Sequence, residues 1–228
     1  MSDVHPWAIE HRSGSAAHFH AQPLPDPVRR KVWWFAIDRP ALVLGSAQRD
    51  DVVDTAAVAT ARLEVVRRRS GGGAVLLTPG EVTWVDVIIP AHDPLWHDDV
   101  GRAFDWLGGA WVATLTALGV GEPRAHEGAM VRTRWSDLVC FAGLGRGEVT
   151  VGGRKVVGIS QRRTRHGARF QCAVLHVWNP AALLDVLRLT PTERQRAGDD
   201  VSIAAAGIGM PSDGAERLQA AFLRQLPA

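Results

Sequence analysis

Lysine is rare in this chain, and one of its lysines lies where it could take part in chemistry. The 228 residues include 24 arginines but only Lys31 and Lys155. A lysine ammonium is a compact, mobile point charge, whereas a guanidinium is a rigid fork, so a lysine here is a candidate for chemistry that arginine does not do. Lys155 follows the turn Gly152-Gly153 and opens an apolar strand, where it could hold a phosphate or a developing oxyanion. The structural alternative is an exposed turn lysine on an edge strand.

A glycine-rich segment forms a second candidate site. Residues 67–75 read Arg-Arg-Arg-Ser-Gly-Gly-Gly-Ala-Val. Three successive glycines let the backbone approach a ligand and turn N–H groups towards an anion, and the adjacent arginines offer forked partners for phosphate or carboxylate. No Gly-Lys-Ser/Thr follows, so the segment is not the phosphate loop of nucleotide hydrolases. A flexible hairpin turn with solvated basic flanks is the structural alternative.

The two cysteines are the third feature. Cys140 lies where an apolar segment breaks into a glycine-rich loop. This placement suits either a buried, inert cysteine or a thiol at the mouth of a pocket, where a nearby cation favours the thiolate. Cys172 lies within a strand pattern, which favours a packed core position, and a protein of this type needs no disulfide. The nine histidines are scattered and no metal-binding spacing occurs, so we expect no metal site.

Composition excludes several classes of function. The net charge is only +2, and no stripe of basic and aromatic residues indicates nucleic-acid binding. No apolar run reaches the length of a membrane span, and the N-terminus lacks a signal pattern. We therefore expect a soluble, cytoplasmic, monomeric protein with a single domain over residues 1–228.

The elements that must position these residues follow from periodicity. Residues 1–30 read as an irregular N-terminal segment, apart from a short helix over Ser15 to Ala21. Ala74 to Leu77 and Val82 to Ile89 read as a β-pair, and three further strands as an antiparallel meander. The remaining segments alternate between strands and helices, which predicts an α+β fold with a mixed sheet flanked by helices. The meander strands are Glu148 to Val151, Lys155 to Gln161 and Ala168 to Trp178; the other strands are Val32 to Ile37, Ala41 to Leu44 and Leu63 to Arg67; the helices are Asp50 to Ala61, Asp98 to Leu118, Asn179 to Leu189, Pro191 to Ala206 and Asp213 to Leu226.

These segments together resemble one family. The string over residues 67–75, followed by Gly-Arg-Lys-Val-Val-Gly-Ile-Ser-Gln-Arg-Arg over 153–163, is similar to the paired signature of the lipoate–protein ligase A/octanoyltransferase family. Residues 41–48 resemble the family's upstream strand, which ends in Gly-x-x-Gln. The resemblance spans Val32 to Leu187 in the family's order.

The resemblance implies a fold and a set of site residues. The fold is that of biotin/lipoate protein ligase catalytic domains, a mixed and mostly antiparallel sheet with packed helices. Lys155 matches the family lysine that contacts the acyl carbonyl or the adenylate phosphate. The acceptor is a lysine of a lipoyl domain or of the glycine-cleavage H protein. The residues that would line the acyl or adenylate site are Arg68, Ser70, Gly71, Gly72, Gly73, Gly158 and Ser160.

Two mechanisms run on this scaffold. Cys140-Phe141, followed by Glu148 and Gly153-Arg154-Lys155, resembles the cysteine-dependent octanoyltransferases, which take an octanoyl group from acyl carrier protein onto a thiolate. In that branch Cys140 and Lys155 are catalytic and no cofactor is bound tightly. Ser-Gly-Gly-Gly-Ala-Val over residues 70–75 is closer to the ligases, which use ATP and Mg²⁺ to form a lipoyl-adenylate.

We favour the Cys140 acyltransferase. The ATP-dependent ligase is the first alternative, although many ligases carry a C-terminal domain for which this chain leaves no room. A module that binds a lipoyl domain or an acyl group without turnover is the second. The choice between octanoyl and lipoyl substrates stays open, as do the acceptor's identity and the role of Cys172.

Overall fold

Two β-sheets form the framework of the protein, which the computed structural model describes over residues 6–210 and 214–228. One sheet has seven strands and the other has three. The strands are, in chain order, β1 (Ala8–Gly14), β2 (Lys31–Ile37), β3 (Ala41–Leu44), β4 (Glu64–Arg67), β5 (Val75–Leu77), β6 (Val82–Pro90), β7 (Pro123–Ala125), β8 (Val149–Val151), β9 (Arg154–Thr164) and β10 (Gly167–Leu175).

The larger sheet is mostly antiparallel. Its strands lie in the order β1-β2-β6-β10-β9-β8-β7. β1 and β2 pair in parallel, while the other neighbouring strands pair antiparallel. The predicted meander is confirmed as β8, β9 and β10, with Gly152 and Gly153 both at positive φ in the first turn, a conformation that glycine adopts without strain. The mixed, mostly antiparallel sheet agrees with the expected α+β fold.

The smaller sheet corrects one predicted pairing. Its order is β4-β3-β5, with β3 parallel to β4 and antiparallel to β5. The expected β-pair of Ala74 to Leu77 with Val82 to Ile89 is therefore wrong, because β5 and β6 belong to different sheets. A strand has two edges, and β6 uses both of its edges, for β2 and for β10. The turn between β5 and β6 thus carries the chain from one sheet to the other.

Helices flank the sheets at the predicted places, with shorter bounds where their ends are described. The predicted start of the last helix, Asp213, lies outside the described residues. The segment expected as one helix over Asp50 to Ala61 is divided, because Val53 bridges to Leu187 and the Asp54 carboxylate caps a second helix. The helices are α1 (Ala16–Ala21), α2 (Thr55–Thr60), α3 (Asp105–Ala117), α4 (Pro180–Asp185), α5 (Pro191–Ala204) and α6 (Gly214–Gln225), with 3₁₀ turns at Asp50–Val52, Arg102–Phe104 and Cys140–Ala142.

The long helix over Asp98 to Leu118 begins later than expected. A 3₁₀ turn precedes α3, and the Asp99 carboxylate accepts the N–H groups of Gly101 and Arg102 at its start. Residues 98–101 therefore form a capping segment rather than helix. Three side chains of the predicted apolar face, Leu107, Trp111 and Leu115, are fully buried, which contributes roughly 1.5–3 kcal/mol each. Gly119, at φ +72°, ends the helix as expected.

Two strands were not indicated by the sequence pattern. β1 lies within the first 30 residues, which read as irregular, and pairs in parallel with β2 along its whole length. β7 consists of only three residues. Strands this short, or placed at a sheet edge with one face to solvent, carry little hydrophobic periodicity. Within the described ranges, no helix is long and apolar enough to cross a membrane.

The two faces of the larger sheet bury different clusters. One face packs against α3 and α6, where Trp111 stacks on Phe222 with ring centroids 4.1 Å apart. The other face packs against α1 and the smaller sheet through Phe19, Phe35 and Trp84. The candidate site residues lie on this second side, between the two sheets.

Candidate active site

An apolar cavity lies between the two sheets. Its walls are mostly apolar side chains, with a few polar groups where β9 and β10 meet the glycine-rich segment. The lining residues are His20, Val43, Arg68, Val75, Leu77, Trp84, Cys140, Phe141, Gly158, Ile159, Ser160, Gln171, Cys172 and Ala173. Four of the predicted site residues, Arg68, Cys140, Gly158 and Ser160, thus border one cavity, together with Cys172. A mostly apolar pocket with few polar groups is typical of a small-molecule site.

Cys140 opens a short 3₁₀ turn at the edge of this cavity. The turn spans Cys140–Ala142. The backbone of Cys140 is fixed because its N–H donates to the carbonyl of Ala74 at 3.0 Å, next to a bridge between Ala74 and Val139. Its side chain is half-buried. The thiol therefore has a defined backbone position and still borders the cavity.

Arg68 supplies the positive charge beside this thiol. The Arg68 Nη2 lies 3.8 Å from the Cys140 Sγ, and Arg68 is only 5% exposed. The guanidinium is held from the other side, since Nη2 also donates to the carbonyls of Gly71 at 2.8 Å and Gly73 at 2.9 Å. The glycine-rich segment thus wraps around Arg68 and holds its positive charge beside the Cys140 sulfur.

The glycines of this segment are needed for close packing. A Cβ on Gly73 would come within 2.5 Å of the Val139 backbone nitrogen, directly before Cys140. Gly72 has φ +96° and its carbonyl lies so near Gly45 that a Cβ there would clash with it. Within the described chain, the N–H groups of Gly71, Gly72 and Gly73 donate no hydrogen bond. These donors are available to an oxyanion or a phosphate.

Lys155 is buried below the Cys140 turn rather than exposed on an edge. β9 lies between β8 and β10, and Lys155 is only 2% exposed, so the alternative of an exposed lysine on an edge strand is wrong. Its Nζ donates to the carbonyls of Cys140 and Gly143, both at 3.1 Å. The ring centroid of Phe141 is 4.8 Å from Nζ. Lys155 does not border the cavity itself but holds the turn that does.

Glu148 is a member of this cluster that was not among the predicted site residues. Its Oε2 forms an ion pair with the Lys155 Nζ at 2.6 Å and accepts the N–H of Gly145 at 2.6 Å. Its Oε1 accepts the N–H of Ile159 on β9 at 3.1 Å. The sequence places Glu148 shortly before Lys155, but only the burial of Lys155 shows that the lysine needs a counterion.

Gly158, Ser70 and Ser160 occupy the space between the turn and the glycine-rich segment. A Cβ on Gly158 would lie 3.2 Å from the Phe141 ring and 3.4 Å from the Lys155 Cε. The Ser70 hydroxyl donates to the Ser160 hydroxyl at 3.1 Å, which joins the glycine-rich segment to β9. All the residues predicted from the paired signature therefore lie in one region.

His20 and Gln171 add polar groups to the cavity wall that the sequence did not indicate. His20 lies on α1 and its ring packs against Trp84 at 4.5 Å between centroids. Burial, together with the positive charges of Arg169 and Arg68, lowers the pKa of His20 to about 3. The ring is therefore neutral at physiological pH, and its Nδ1 faces the Gln171 side-chain amide at 3.4 Å. No local periodicity links α1 to β10, so only the fold brings these residues together.

Cys172 lines the same cavity, but it is more deeply buried than Cys140. It lies in the middle of β10 and is 1% exposed, in agreement with the expected core position. Burial raises the pKa of its thiol far above the ordinary range. Among the described residues, no group of three His, Cys, Asp or Glu side chains is placed to hold a metal ion.

Comparison with known proteins gives a family match over most of the chain. Residues 16–207 match the family described as the lipoyl protein ligase A/B catalytic domain. The octanoyltransferase LipM of Moorella thermoacetica is 30% identical over 189 residues, which cover 82% of this chain and 64% of that protein. The octanoyltransferase LipM of Kyrpidia tusciae is 30% identical over 205 residues, covering 83% of this chain and 73% of that protein. The chain thus spans somewhat less than two thirds of the Moorella protein's length.

Solved structures share the fold at low sequence identity. A lipoate-protein ligase A bound with ATP aligns with a TM-score of 0.67 and 15% identity, over 96% of this chain and 82% of that chain. A bipartite lipoate protein ligase from Thermoplasma acidophilum, solved with its E2 lipoyl domain, aligns with a TM-score of 0.71 and 15% identity, over 96% and 80%. These likenesses establish the α+β architecture.

Proposed function

The chain belongs to the lipoyl protein ligase A/B catalytic domain family, and on that premise we propose that it is an acyltransferase that moves an octanoyl group through a thioester on Cys140. The donor is an octanoyl thioester, as carried by acyl carrier protein. The acceptor is the side-chain amine of a lysine on a lipoyl domain or on a glycine-cleavage H protein. The relatives named octanoyltransferase support this choice over the rest of the family.

One observation carries the proposal. The Cys140 sulfur borders an apolar cavity and lies 3.8 Å from a buried guanidinium. A cysteine is a nucleophile only as a thiolate, and an adjacent cation in a partly exposed site favours that form. The cavity beside it offers the apolar surface that an eight-carbon chain would bury. Nucleophile, cation and acyl-binding surface therefore meet at one point.

The first half-reaction loads the enzyme. The Cys140 thiolate attacks the carbonyl carbon of the donor thioester, so that a new S–C bond forms and the carbonyl electron pair moves to oxygen. The tetrahedral intermediate then collapses, the donor S–C bond breaks, and the donor leaves as a thiolate. The available N–H groups of the glycine-rich segment are suited to receive the transient oxyanion.

The second half-reaction transfers the group. The neutral amine of the acceptor lysine attacks the carbonyl carbon of the Cys140 thioester, and a C–N bond forms. The S–C bond breaks, the Cys140 thiolate is restored beside Arg68, and the amine proton passes to solvent or buffer. The balance of the two steps needs no ATP and no metal ion, which agrees with a cofactor-free transferase.

The cavity walls support the placement of the acyl chain. Val43, Val75, Leu77 and Trp84 give it an apolar lining, and Gly158 leaves space beside Phe141 because it has no side chain. Each methylene buried there contributes about 0.8 kcal/mol. Octanoyl and lipoyl groups share this apolar character, so the thioester chemistry rather than the cavity defines the proposal.

Intact mass spectrometry tests the proposal directly. The protein is incubated either with octanoyl-acyl carrier protein or with octanoate, ATP and Mg²⁺. We expect an octanoyl adduct with the first mixture, mapped to Cys140, sensitive to hydroxylamine and absent in Cys140→Ser. Cys172→Ala should retain the adduct and serves as the matched control.

Two results would contradict the transferase. In Cys140→Ser, an adduct mapped to a residue other than position 140 would show that Cys140 is not the nucleophile. Octanoate-dependent exchange of pyrophosphate into ATP, with no adduct from the acyl carrier protein, would identify the ATP-dependent ligase instead. Measurable affinity for a lipoyl domain with no acylated product under either condition would identify a binding module.

A further inference from the structure

Lys155 ties together both ends of the turn that carries the proposed nucleophile. Its Nζ donates to the carbonyl of Cys140, where the turn begins, and to that of Gly143, just after the turn ends. The Glu148 Oε2 is a third oxygen near the same nitrogen, at 2.6 Å. An ammonium has three N–H donors, and three protein oxygens surround this one. The ammonium is thus held from three sides.

Glu148 holds Lys155 in place through several elements at once. One carboxylate oxygen accepts the N–H of Gly145, in the loop after the turn, and the other accepts the N–H of Ile159, on β9. The side chains of Lys155 and Glu148 are 3% and 8% exposed. In the part of the chain that the structure describes, no other carboxylate forms an ion pair with Lys155. The loop, the strand and the lysine are thus joined at a single carboxylate.

We infer that Glu148 is a positioning residue for acyl transfer, which fixes Lys155 against the Cys140–Gly143 backbone and thereby aims the Cys140 thiol at the cavity. This inference rests on the proposed function, in which Cys140 carries the acyl group. Lys155 then links the Glu148 carboxylate to the turn that carries the sulfur. Thioester attack needs alignment of sulfur and carbonyl, and a misplacement of about 1 Å costs about 100-fold in rate.

A purely structural role for the pair predicts a different outcome. Breaking a buried ion pair by removing one partner leaves an uncompensated charge and destabilises the fold. Such a loss would lower activity only by reducing the folded fraction, and it would expose both thiols. Loss of positioning instead slows acyl transfer in molecules that stay folded. The accessibility of the two thiols therefore distinguishes unfolding from loss of positioning.

The test compares Glu148→Gln with wild type and with Asp93→Asn. Glutamine keeps the size of the side chain and an acceptor for one of the two N–H groups, but it places an amide NH2 against the other and removes the charge that holds Lys155. Asp93 is a matched control, because its carboxylate also pairs with a partly buried cation, Arg30, at 2.8 Å and accepts a backbone N–H, that of Leu95, away from the cavity. Single-turnover octanoylation of Cys140 from octanoyl-acyl carrier protein is followed by intact mass, alongside alkylation of both thiols by iodoacetamide.

In Glu148→Gln we expect the maximal rate of octanoylation to fall about 10- to 100-fold, with the half-saturating donor concentration within about twofold of wild type. Alkylation of Cys140 by iodoacetamide needs no aligned acyl chain, so its rate should stay at the wild-type value or rise, and Cys172 should remain protected. Asp93→Asn should keep both rates. If Glu148→Gln does not fold, Glu148→Gln with Lys155→Met removes both charges, a change that buried pairs tolerate, and it should show the same separation of rates.

The outcomes separate this inference from the proposed function. Octanoylation at the wild-type rate in Glu148→Gln, or in the double variant, would overturn the positioning role alone. A loss of octanoylation that matches the fraction of molecules with an alkylated Cys172 would also overturn it, in favour of a structural role. Absence of the adduct in the wild-type protein would instead overturn the proposed function, and the inference with it.

Discussion

The two cysteines border one cavity, yet their surroundings differ in every respect that governs reactivity. Cys140 begins a short 3₁₀ turn, is half-buried, and has the Arg68 guanidinium 3.8 Å from its sulfur. Cys172 lies within a central strand paired on both edges, and burial raises the pKa of its thiol. Proximity to a pocket therefore does not make a nucleophile. Of the two cysteines, Cys140 combines a loop position that exposes the sulfur with a cation held beside it.

The largest expected effect is in the alkylation of the two thiols. Iodoacetamide at pH 8 should modify Cys140 about 1,000-fold faster than Cys172, or more, because exposure of Cys172 requires an opening that costs several kcal/mol. Peptide mapping of the alkylated protein over time measures both rates in one sample. Similar rates for the two thiols in the folded protein would contradict the comparison. In urea the two rates should converge, which serves as the control.

A smaller effect is expected when the packing that positions Cys140 is disturbed. Gly73→Ala places a methyl group within 2.5 Å of the Val139 backbone, so the Cys140 turn must shift and octanoylation should slow by roughly 100-fold. Gly71 has open space around its Cα, and Gly71→Ala should have a much smaller effect. Single-turnover rates of both variants measure the difference. Gly198→Ala, in exposed helix α5, controls for the general effect of adding a methyl group.

Equal octanoylation rates in Gly73→Ala and Gly71→Ala would show that the turn does not depend on this close packing. The thiol would then owe its reactivity to Arg68 alone.

The smallest expected effect concerns stability at alkaline pH. The unfolded thiol of Cys172 has a pKa of about 8.5, and burial raises the folded value above this. Above about pH 8.5 the unfolded chain loses a proton that the folded chain keeps, so this contribution to the free energy of unfolding falls by about 1.4 kcal/mol per pH unit. The stability is fully present below the unfolded pKa and is lost as the pH rises. Cys172→Ala should therefore lose stability less steeply than wild type.

Urea unfolding between about pH 8 and 10.5 measures this slope. The chain has no tyrosine and only two lysines, and arginine does not titrate there, so few other groups contribute. A Cys172→Ala slope equal to that of wild type would show that the buried thiol already ionises within the folded protein.

Much of the fold followed from local pattern. The meander was predictable because its strands are joined by short turns with glycine at positive φ, and the long helix because Leu107, Trp111 and Leu115 recur at helical spacing. The pairing of β5 with β6 was predicted wrongly, because strands adjacent in sequence are expected to pair. The local sequence pattern does not show that both edges of β6 pair with other strands. β1 was missed because it has too little periodicity to distinguish it from loop.

The residues of the candidate site also fall into two groups, those that the sequence indicated and those that only the structure revealed. The glycine-rich segment, Cys140 and Lys155 were identified from residue type and from the spacing of two motifs. This was possible because the backbone freedom of glycine, the thiol of cysteine and the charge of lysine are properties of the residue itself. Glu148, His20 and the contrast between the two cysteines needed the structure. Their roles depend on burial, and His20 meets Gln171 from 151 residues away in the chain.

The amino-acid sequence by itself determined the family signature, the order of the elements and the residue types capable of chemistry, since these are properties of local composition and spacing. Only the tertiary structure decided that Arg68 lies beside the Cys140 sulfur, that Lys155 is surrounded by three protein oxygens, and that Cys172 is buried. The physical reason is that electrostatic and hydrogen-bonding effects act over a few ångströms in space. Arg68 and Cys140, 72 residues apart in the chain, reach that distance only when the chain has folded.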